Sequence, residues 1–268
     1  MNVSLVEWSV NSEGIALIEL QREKQAHSLS KDVLLGLRDI VESLKAKQDV
    51  RAVVLTSTGE KVFCAGADLK ERAGMSESEV LQAVRRIQSV IHEISEIPQP
   101  TIAALTGSAL GGGLELALTA DIRIGANEGK YGLPETSLAI IPGAGGTQRL
   151  SRLLGPGKAK QLIFTGELIN GVEAERIGLL ETSTAVENVR QHAFELAEKI
   201  AKNGPLALRQ AKRAVDLGQE VDLLTGLQIE RACYEHTVPT ADRREGLLAS
   251  KRSVNHSIQA NSGGARND

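Results

Sequence analysis

The chain has 268 residues, of which 41% are hydrophobic and 24% charged, with a formal net charge of -3. That length and balance describe an ordinary globular protein with a substantial core, and they offer no general positive field to draw in nucleic acid or an anionic membrane. Two cysteines, Cys64 and Cys233, stand in no CxxC or Cys/His cluster, which excludes a disulfide framework and a structural zinc site.

The amino terminus, MNVSLVEWSV, alternates like a strand and has neither signal-peptide nor transit-peptide form. No apolar run reaches bilayer length, so a cytoplasmic protein is expected. Val3 to Val10 and Gly14 to Leu20 read as short strands. Ser30 is then the expected N-cap of a helix whose Val33, Leu34, Leu37, Ile40, Val41 and Leu44 share one face. Arg51 to Thr56 reads as a buried strand. Ser76 and Glu79 form a capping-box pattern ahead of a second helix, striped by Val80, Leu81, Val84, Ile87, Ile91 and Ile94 and ended by Pro98 and Pro100. Thr101 to Thr106 and Asp121 to Ala126 are the next strands, with a short helix between them. Strands alternating with amphipathic helices indicate an α/β domain. From about Pro142 strand signals fade. Helical periodicity over Val186 to Lys202, Pro205 to Leu217, Val221 to His236 and Ala241 to Ser253 makes the C-terminal third a helical appendage. The last dozen residues, SIQANSGGARND, are polar and Gly-rich and are expected to be disordered.

Three stretches carry candidate chemistry. In ALGGGLELALTAD, Gly111, Gly112 and Gly113 open a helix, where bare backbone and unpaired N-H groups suit an anion or an oxygen that becomes negative during a reaction. Glu115 follows inside that first turn among Leu114, Leu116, Ala117 and Leu118, and a carboxylate so placed must be paired, protonated or turned to a cavity. A dipole-favoured acid at a helix start is the bland alternative. In GLPETSLAIIPGAGGTQRL, Glu135 lies in a loop beside a second glycine cluster. Two acids flanked by glycine-rich backbone fit one ligand cavity in which one is ionised and the other protonated. The third stretch, KVFCAGADLKERAGM, again offers small residues and free amides, or an ordinary glycine turn. GPGKAK at Gly155 is not a P-loop, HEISE at His92 is not HExxH, and no GxSxG nucleophile elbow occurs.

Taken in order and spacing, CAGADLKE, ALGGGLELALTADIRI and PETSLAIIPGAGGTQRL resemble the enoyl-CoA hydratase/isomerase (crotonase) family, over about Asn2 to Ser253. ADLKERAGMSESEV and VDLLTGLQIERACYEHTVPTADRREGLLA are most similar to the branch of methylglutaconyl-CoA hydratases, some of which bind AU-rich RNA. The resemblance implies a spiral of ββα repeats over residues 1–200, a C-terminal helical region over 201–256 that mediates trimerisation, commonly as a dimer of trimers, and a tail over 257–268. It implies that the amides of Ala67 and Gly112 form an oxyanion hole, and that Glu115 and Glu135 are the catalytic pair, with Glu135 as acid and Glu115 as base. It points to Lys24, Ala26, Ala65, Asp68, Leu69 and Lys70 for contacts to the CoA thioester, and to Gly143 for the water pocket. Lys70 and Arg72 are placed where they could line the acyl pocket. An acyl-CoA substrate is expected, with no metal and no cofactor beyond the CoA it carries. A double-bond isomerase on the same scaffold is the rival reading. Nucleic acid is not an expected partner, because Lys31, Arg38, Lys45 and Lys47 of the first long helix are interrupted by Asp32, Asp39 and Glu42, and aromatics make up only 2% of the chain.

Overall fold

The computed structural model describes residues 4–249. The expected tail and the end of the last expected helix lie outside those residues. Strands β1 (Val6–Val10) and β2 (Ile15–Leu20) form an antiparallel hairpin. Helix α1 (Lys31–Ala46) follows, capped by Ser30, whose Oγ accepts from the Val33 N-H.

From here the chain winds as a spiral, each turn giving one strand to a large sheet and one to a small sheet before a helix. Strands β3 (Ala52–Ser57) and β4 (Val62–Cys64), the short α2 (Leu69–Arg72) and α3 (Glu77–Ser95) make the first turn. The second comprises β5 (Thr101–Leu105), β6 (Ser108–Leu110) and α4 (Gly112–Ala117). In the third, β7 (Ile122–Ala126) and β8 (Lys130–Gly132) lead through a 3-10 turn at Pro134–Leu138 into α5 (Gly146–Leu154) and α6 (Pro156–Thr165). Strand β9 (Ile169–Asn170), α7 (Gly171–Arg176), β10 (Thr182–Thr184) and α8 (Val186–Ala201) complete this unit.

The large sheet has the order β1-β2-β3-β5-β7-β10, all parallel after the first pair, and the small sheet has the order β4-β6-β8-β9 with β9 antiparallel. Parallel strands covered on both faces are largely apolar, and every residue of β3 and β5 is buried, Thr56, Ser57 and Thr101 among them. Alternation then divides the core. Val53 and Leu55 pack with the stripes of α1 and α3, while Ala52, Val54, Ile102 and Ala104 face Val189, Ala193, Ala197 and Ala201 of α8. The i, i+4 alanines let α8 lie close on the sheet.

Beyond this unit, Met1–Lys202, the second compact unit, Asn203–Asp268, is helical as far as it is described: α9 (Pro205–Gly218), α10 (Leu223–Thr237) and residues 241–249. No helix among the described residues is long and apolar enough to cross a membrane.

The structure corrects two local expectations. Strand signals do not end near Pro142, since β9 and β10 are both strands, of two and three residues. Their pairing comes from β8 and β7 already in place rather than from local alternation. The α3 stripe also does not lie wholly on the core: Ile87, Val90, Ile91 and Ile94 are buried, but Val80 and Val84 are only half-buried and Leu81 is 58% exposed. The first half of α3 borders a cavity instead.

Close packing at the start of α4 depends on one absent side chain. A Cβ at Gly113 would collide with the Cys64 carbonyl, locking β4 against α4. Gly113→Ala is therefore expected to cost about 3 kcal/mol or more, lowering the thermal midpoint by roughly 6 °C or more. An unchanged midpoint in calorimetry would show that β4 and α4 have room to part.

Candidate active site

Glu115 is 3% exposed, in a helix whose Gly113, Leu114, Leu116 and Ala117 are all buried. Its Oε1 accepts two hydrogen bonds of 2.7 Å, from the N-H groups of Ala144 and Gly146. Gly146 opens α5, so its amide has no partner within the helix and is backed by the positive end of the dipole. A Cβ at Gly146 would approach Glu115 Oε1 to 2.9 Å, so glycine is needed for the carboxylate to seat there. Burial raises the Glu115 pKa above the ordinary carboxylate value. The amides of Gly146 and Ala144 and the positive charges of Arg149 and Arg72 offset part of that rise.

Glu135 lies in the 3-10 turn after β8. Burial pushes its carboxyl up to about 7, and the charge of Glu115 adds to the rise against a hydrogen bond from its own backbone amide. Its Oε2 is buried without a hydrogen-bond partner. The side chain lies over Gly111, where a Cβ would stand 2.9 Å from Glu135 Oε1. Gly111 adopts φ 51° with ψ -124°, a conformation that also favours glycine.

The backbone before α2 meets the backbone before α4. Gly66, at φ +90°, is so close to the Gly111–Gly113 cluster that a Cβ would lie 2.8 Å from Leu110 O and 2.9 Å from the Gly112 nitrogen. The Ala67 nitrogen stands 3.4 Å from where a Cβ of Gly112 would project. Leu29 pairs with Ala67 in a bridge whose hydrogen bond runs from the Leu29 N-H to Gly66 O, leaving the Ala67 amide outside the pairing. Gly112, at the first position of α4, has no intrahelical acceptor. The two amide nitrogens therefore lie close together.

Ala67, Gly112, Glu115 and Glu135 all line one cavity of about 720 Å³. Its remaining wall is largely apolar, with Leu69, Val80, Leu81, Val84 and Ile87 on one side and Leu138, Ile140 and Ile141 on another. Such a pocket takes an apolar chain and presents it to two carboxyl groups and two amides.

Ala65, Leu69 and Gly143, expected as substrate contacts, also lie on this wall. Lys24, Ala26 and Lys70 do not, and both lysines are exposed. Of the two cations considered for the acyl pocket, Arg72 lines it and Lys70 does not.

Asp68, also expected as a substrate contact, does not lie on this wall. Its carboxylate is 7% exposed and turned inward, 2.6 Å from the Arg22 guanidinium, accepting from the Ser28 hydroxyl and from the Lys70 and Glu71 amides that it caps. Burial alone would raise its pKa, but Arg22 and these amides hold it below the ordinary value. Asp68 thus fastens the loop that carries Ala67 and does not face the cavity.

Sequence reasoning missed the Ala144 and Gly146 amides. The second glycine cluster was visible, but which side chain its amides would hold was not. Cys64 is fully buried with its thiol pushed up to about 12 by burial, which makes it a packing residue. Among the described residues no group of His, Cys, Asp and Glu could hold a metal ion.

The family profile described as enoyl-CoA hydratase/isomerase matches residues 10–257. The chain belongs to the enoyl-CoA hydratase/isomerase family. Within it, the chain is 53% identical to Bacillus subtilis YngF, named an enoyl-CoA hydratase/isomerase, over 90% of this chain and 93% of that protein. It is 50% identical to the human mitochondrial methylglutaconyl-CoA hydratase over 90% of this chain and 72% of that one. The crystal structure of an enoyl-CoA hydratase from Bacillus anthracis superposes with a TM-score of 0.91 at 50% identity, covering 93% of this chain and 96% of that one. The ββα spiral is the family's fold.

Proposed function

We propose that the protein is a 2-enoyl-CoA hydratase, adding water reversibly across the 2,3 double bond, with a methylglutaconyl-type acyl chain as its favoured substrate. One observation carries the reading: two carboxyl groups with differently built surroundings share a cavity with two unpaired amides. The 50% identity to a methylglutaconyl-CoA hydratase supports the acyl chain.

In this reading the thioester oxygen sits between the Ala67 and Gly112 amides, which stabilise the enolate-like charge that forms as water attacks C3. Removing one such donor costs about 2.7–4 kcal/mol of barrier in comparable sites. Glu115, held by two main-chain donors that favour its charged form, takes a proton from the water as its oxygen bonds to C3. Glu135, whose carboxyl burial raises so that it still carries a proton as pH approaches 7, delivers that proton to C2. One proton on the pair is the active state in both directions, so hydration and dehydration share it. Two acids favour hydration over isomerisation, which needs one group near the α-carbon.

The assignment fixes the pH dependence. Hydration requires Glu135 protonated, so kcat/KM falls as pH rises through about 7. It also falls at acid pH as Glu115 takes up a second proton, above the usual carboxylate range because burial raises that group. A bell-shaped profile in the loss of enoyl-thioester absorbance is the expected result. An activity flat from neutral to strongly alkaline pH would contradict Glu135 as the acid.

The CoA portion is proposed to run past Lys24, Ala26, Ala65 and Lys70. The Ala65 N-H donates to Ala26 O at 3.0 Å, which ties the two loops together. CoA enters as part of the substrate, and the proposed chemistry needs no other cofactor. A homotrimer or dimer of trimers fits the exposed apolar residues of α10, among them Leu223 at 76% and Leu224 at 72%. A cytoplasmic setting fits the bacterial relative. Nucleic acid is left out of the proposal because three of the four basic residues considered on and just after α1 are engaged locally. Arg38 pairs with Glu93 at 2.8 Å, Lys45 with Glu42 at 3.4 Å, and Lys47 lies over the Trp8 ring.

A further inference from the structure

The apolar wall of the cavity is broken by one cation that moves no proton in the proposed chemistry, although its charge offsets part of the effect of burial on Glu115. Among the described residues that line it, Arg72 is the one cation. It is half-buried at the end of α2, and its guanidinium makes no hydrogen bond or ion pair with a described residue. Its backbone is fixed, with the Arg72 N-H donating to Asp68 O and the Met75 N-H to Arg72 O. Asp32 and Glu71 border a neighbouring cleft of about 310 Å³ together with Arg72, yet neither forms an ion pair with it. Nearby in the active cavity, Val80, Val84 and Ile87 of α3 present only hydrocarbon.

An unpaired guanidinium beside an apolar channel favours an anion with two acceptor oxygens, which it can grip with parallel N-H donors. Ala67, one of the two thioester donors, precedes α2, and Arg72 ends it. Both line the same cavity, so an acyl chain held at Ala67 can extend toward Arg72.

We infer that Arg72 is the specificity-determining residue of the acyl pocket, binding a carboxylate at the far end of the acyl chain and so selecting dicarboxylic over plain enoyl-CoA thioesters. The inference rests on the hydratase reading for the placement of the thioester, and it assigns to Arg72 the recognition of the substrate's second acid. The same guanidinium would also suit a CoA phosphate, a source that the test separates.

Affinities for two unreactive saturated analogues, glutaryl-CoA and butyryl-CoA, would be measured by calorimetry for the wild type, Arg72→Gln and Arg72→Lys. In Arg72→Gln, glutaryl-CoA is expected to bind about 10- to 150-fold more weakly, the range for a charged hydrogen bond, while butyryl-CoA changes by less than about threefold. Arg72→Lys should recover part of the difference, since charge remains and bidentate geometry is lost. Equal weakening of both ligands would assign Arg72 to the CoA portion or to the fold, and no weakening would leave it without a ligand. Either result overturns the inference. Because the analogues do not react, these outcomes are independent of turnover. Failure of the hydratase reading would show separately, as no loss of enoyl absorbance from crotonyl-CoA or glutaconyl-CoA with wild-type protein.

Discussion

Glu135→Gln is expected to lower hydration turnover by about 10²- to 10⁴-fold, the range for loss of a positioned general acid, while CoA-ester affinity is retained. Glutamine has nearly the same shape as the protonated glutamic acid that burial favours here, and it carries no charge. The Oε2 atom has no protein partner to lose, so the substitution leaves no new orphan in the wall. What disappears is the transferable proton. Single-turnover kinetics with calorimetric binding would separate the two effects: kcat falls and the dissociation constant holds. Turnover at the wild-type rate would show that another group protonates C2.

Glu115 should respond differently to its two simplest replacements. Glu115→Gln keeps an oxygen that can accept from Ala144 and Gly146, so the fold is expected to survive while turnover drops by a factor similar to that for Glu135→Gln. Glu115→Ala also leaves both amides buried without an acceptor, and each such group costs about 1–3 kcal/mol. The alanine variant should therefore be inactive and measurably less stable, and the glutamine variant inactive and near wild-type in thermal midpoint. Equal stability of the two would mean that water or another acceptor satisfies those amides.

These contrasts separate what a linear chain displays from what only packing creates. The stripes of α1 and α3 and the Ser76 capping box were legible because helical periodicity and capping are written locally. The Ser76 Oγ and Glu79 side chain make both bonds of that box. Glu115 and Glu135 stood out because an acid among leucines and an acid beside glycines are locally unexpected. The glycine-rich backbone beside each suggested one shared cavity, and the family resemblance made them a catalytic pair, although twenty residues separate them. The shortest strands were not legible at all, because two or three residues carry no alternation until a neighbouring strand supplies the ladder.

Leu81, Asp68 and Arg72 show the same limit at the level of single side chains. Helical spacing put Leu81 in the core stripe, but it is 58% exposed and lines the cavity. Asp68 follows the oxyanion alanine directly in sequence, and its direction is set by Arg22, 46 residues away. Arg72 stands four residues beyond Asp68, on the cavity side. Neighbours in the chain thus divide between holding the loop and facing the ligand, a choice made by the packing of α2.

The most direct measurement is the enoyl-thioester absorbance of 3-methylglutaconyl-CoA mixed with purified wild-type protein, followed beside Glu115→Gln and Glu135→Gln at matched, near-saturating concentrations. Rapid decay with the wild type, to an equilibrium mixture containing the hydrated thioester, and near-flat traces with both variants are the predicted result. A flat wild-type trace under conditions where calorimetry shows the ligand bound, or decay unchanged in both variants, would contradict joint action of the two glutamic side chains on one substrate.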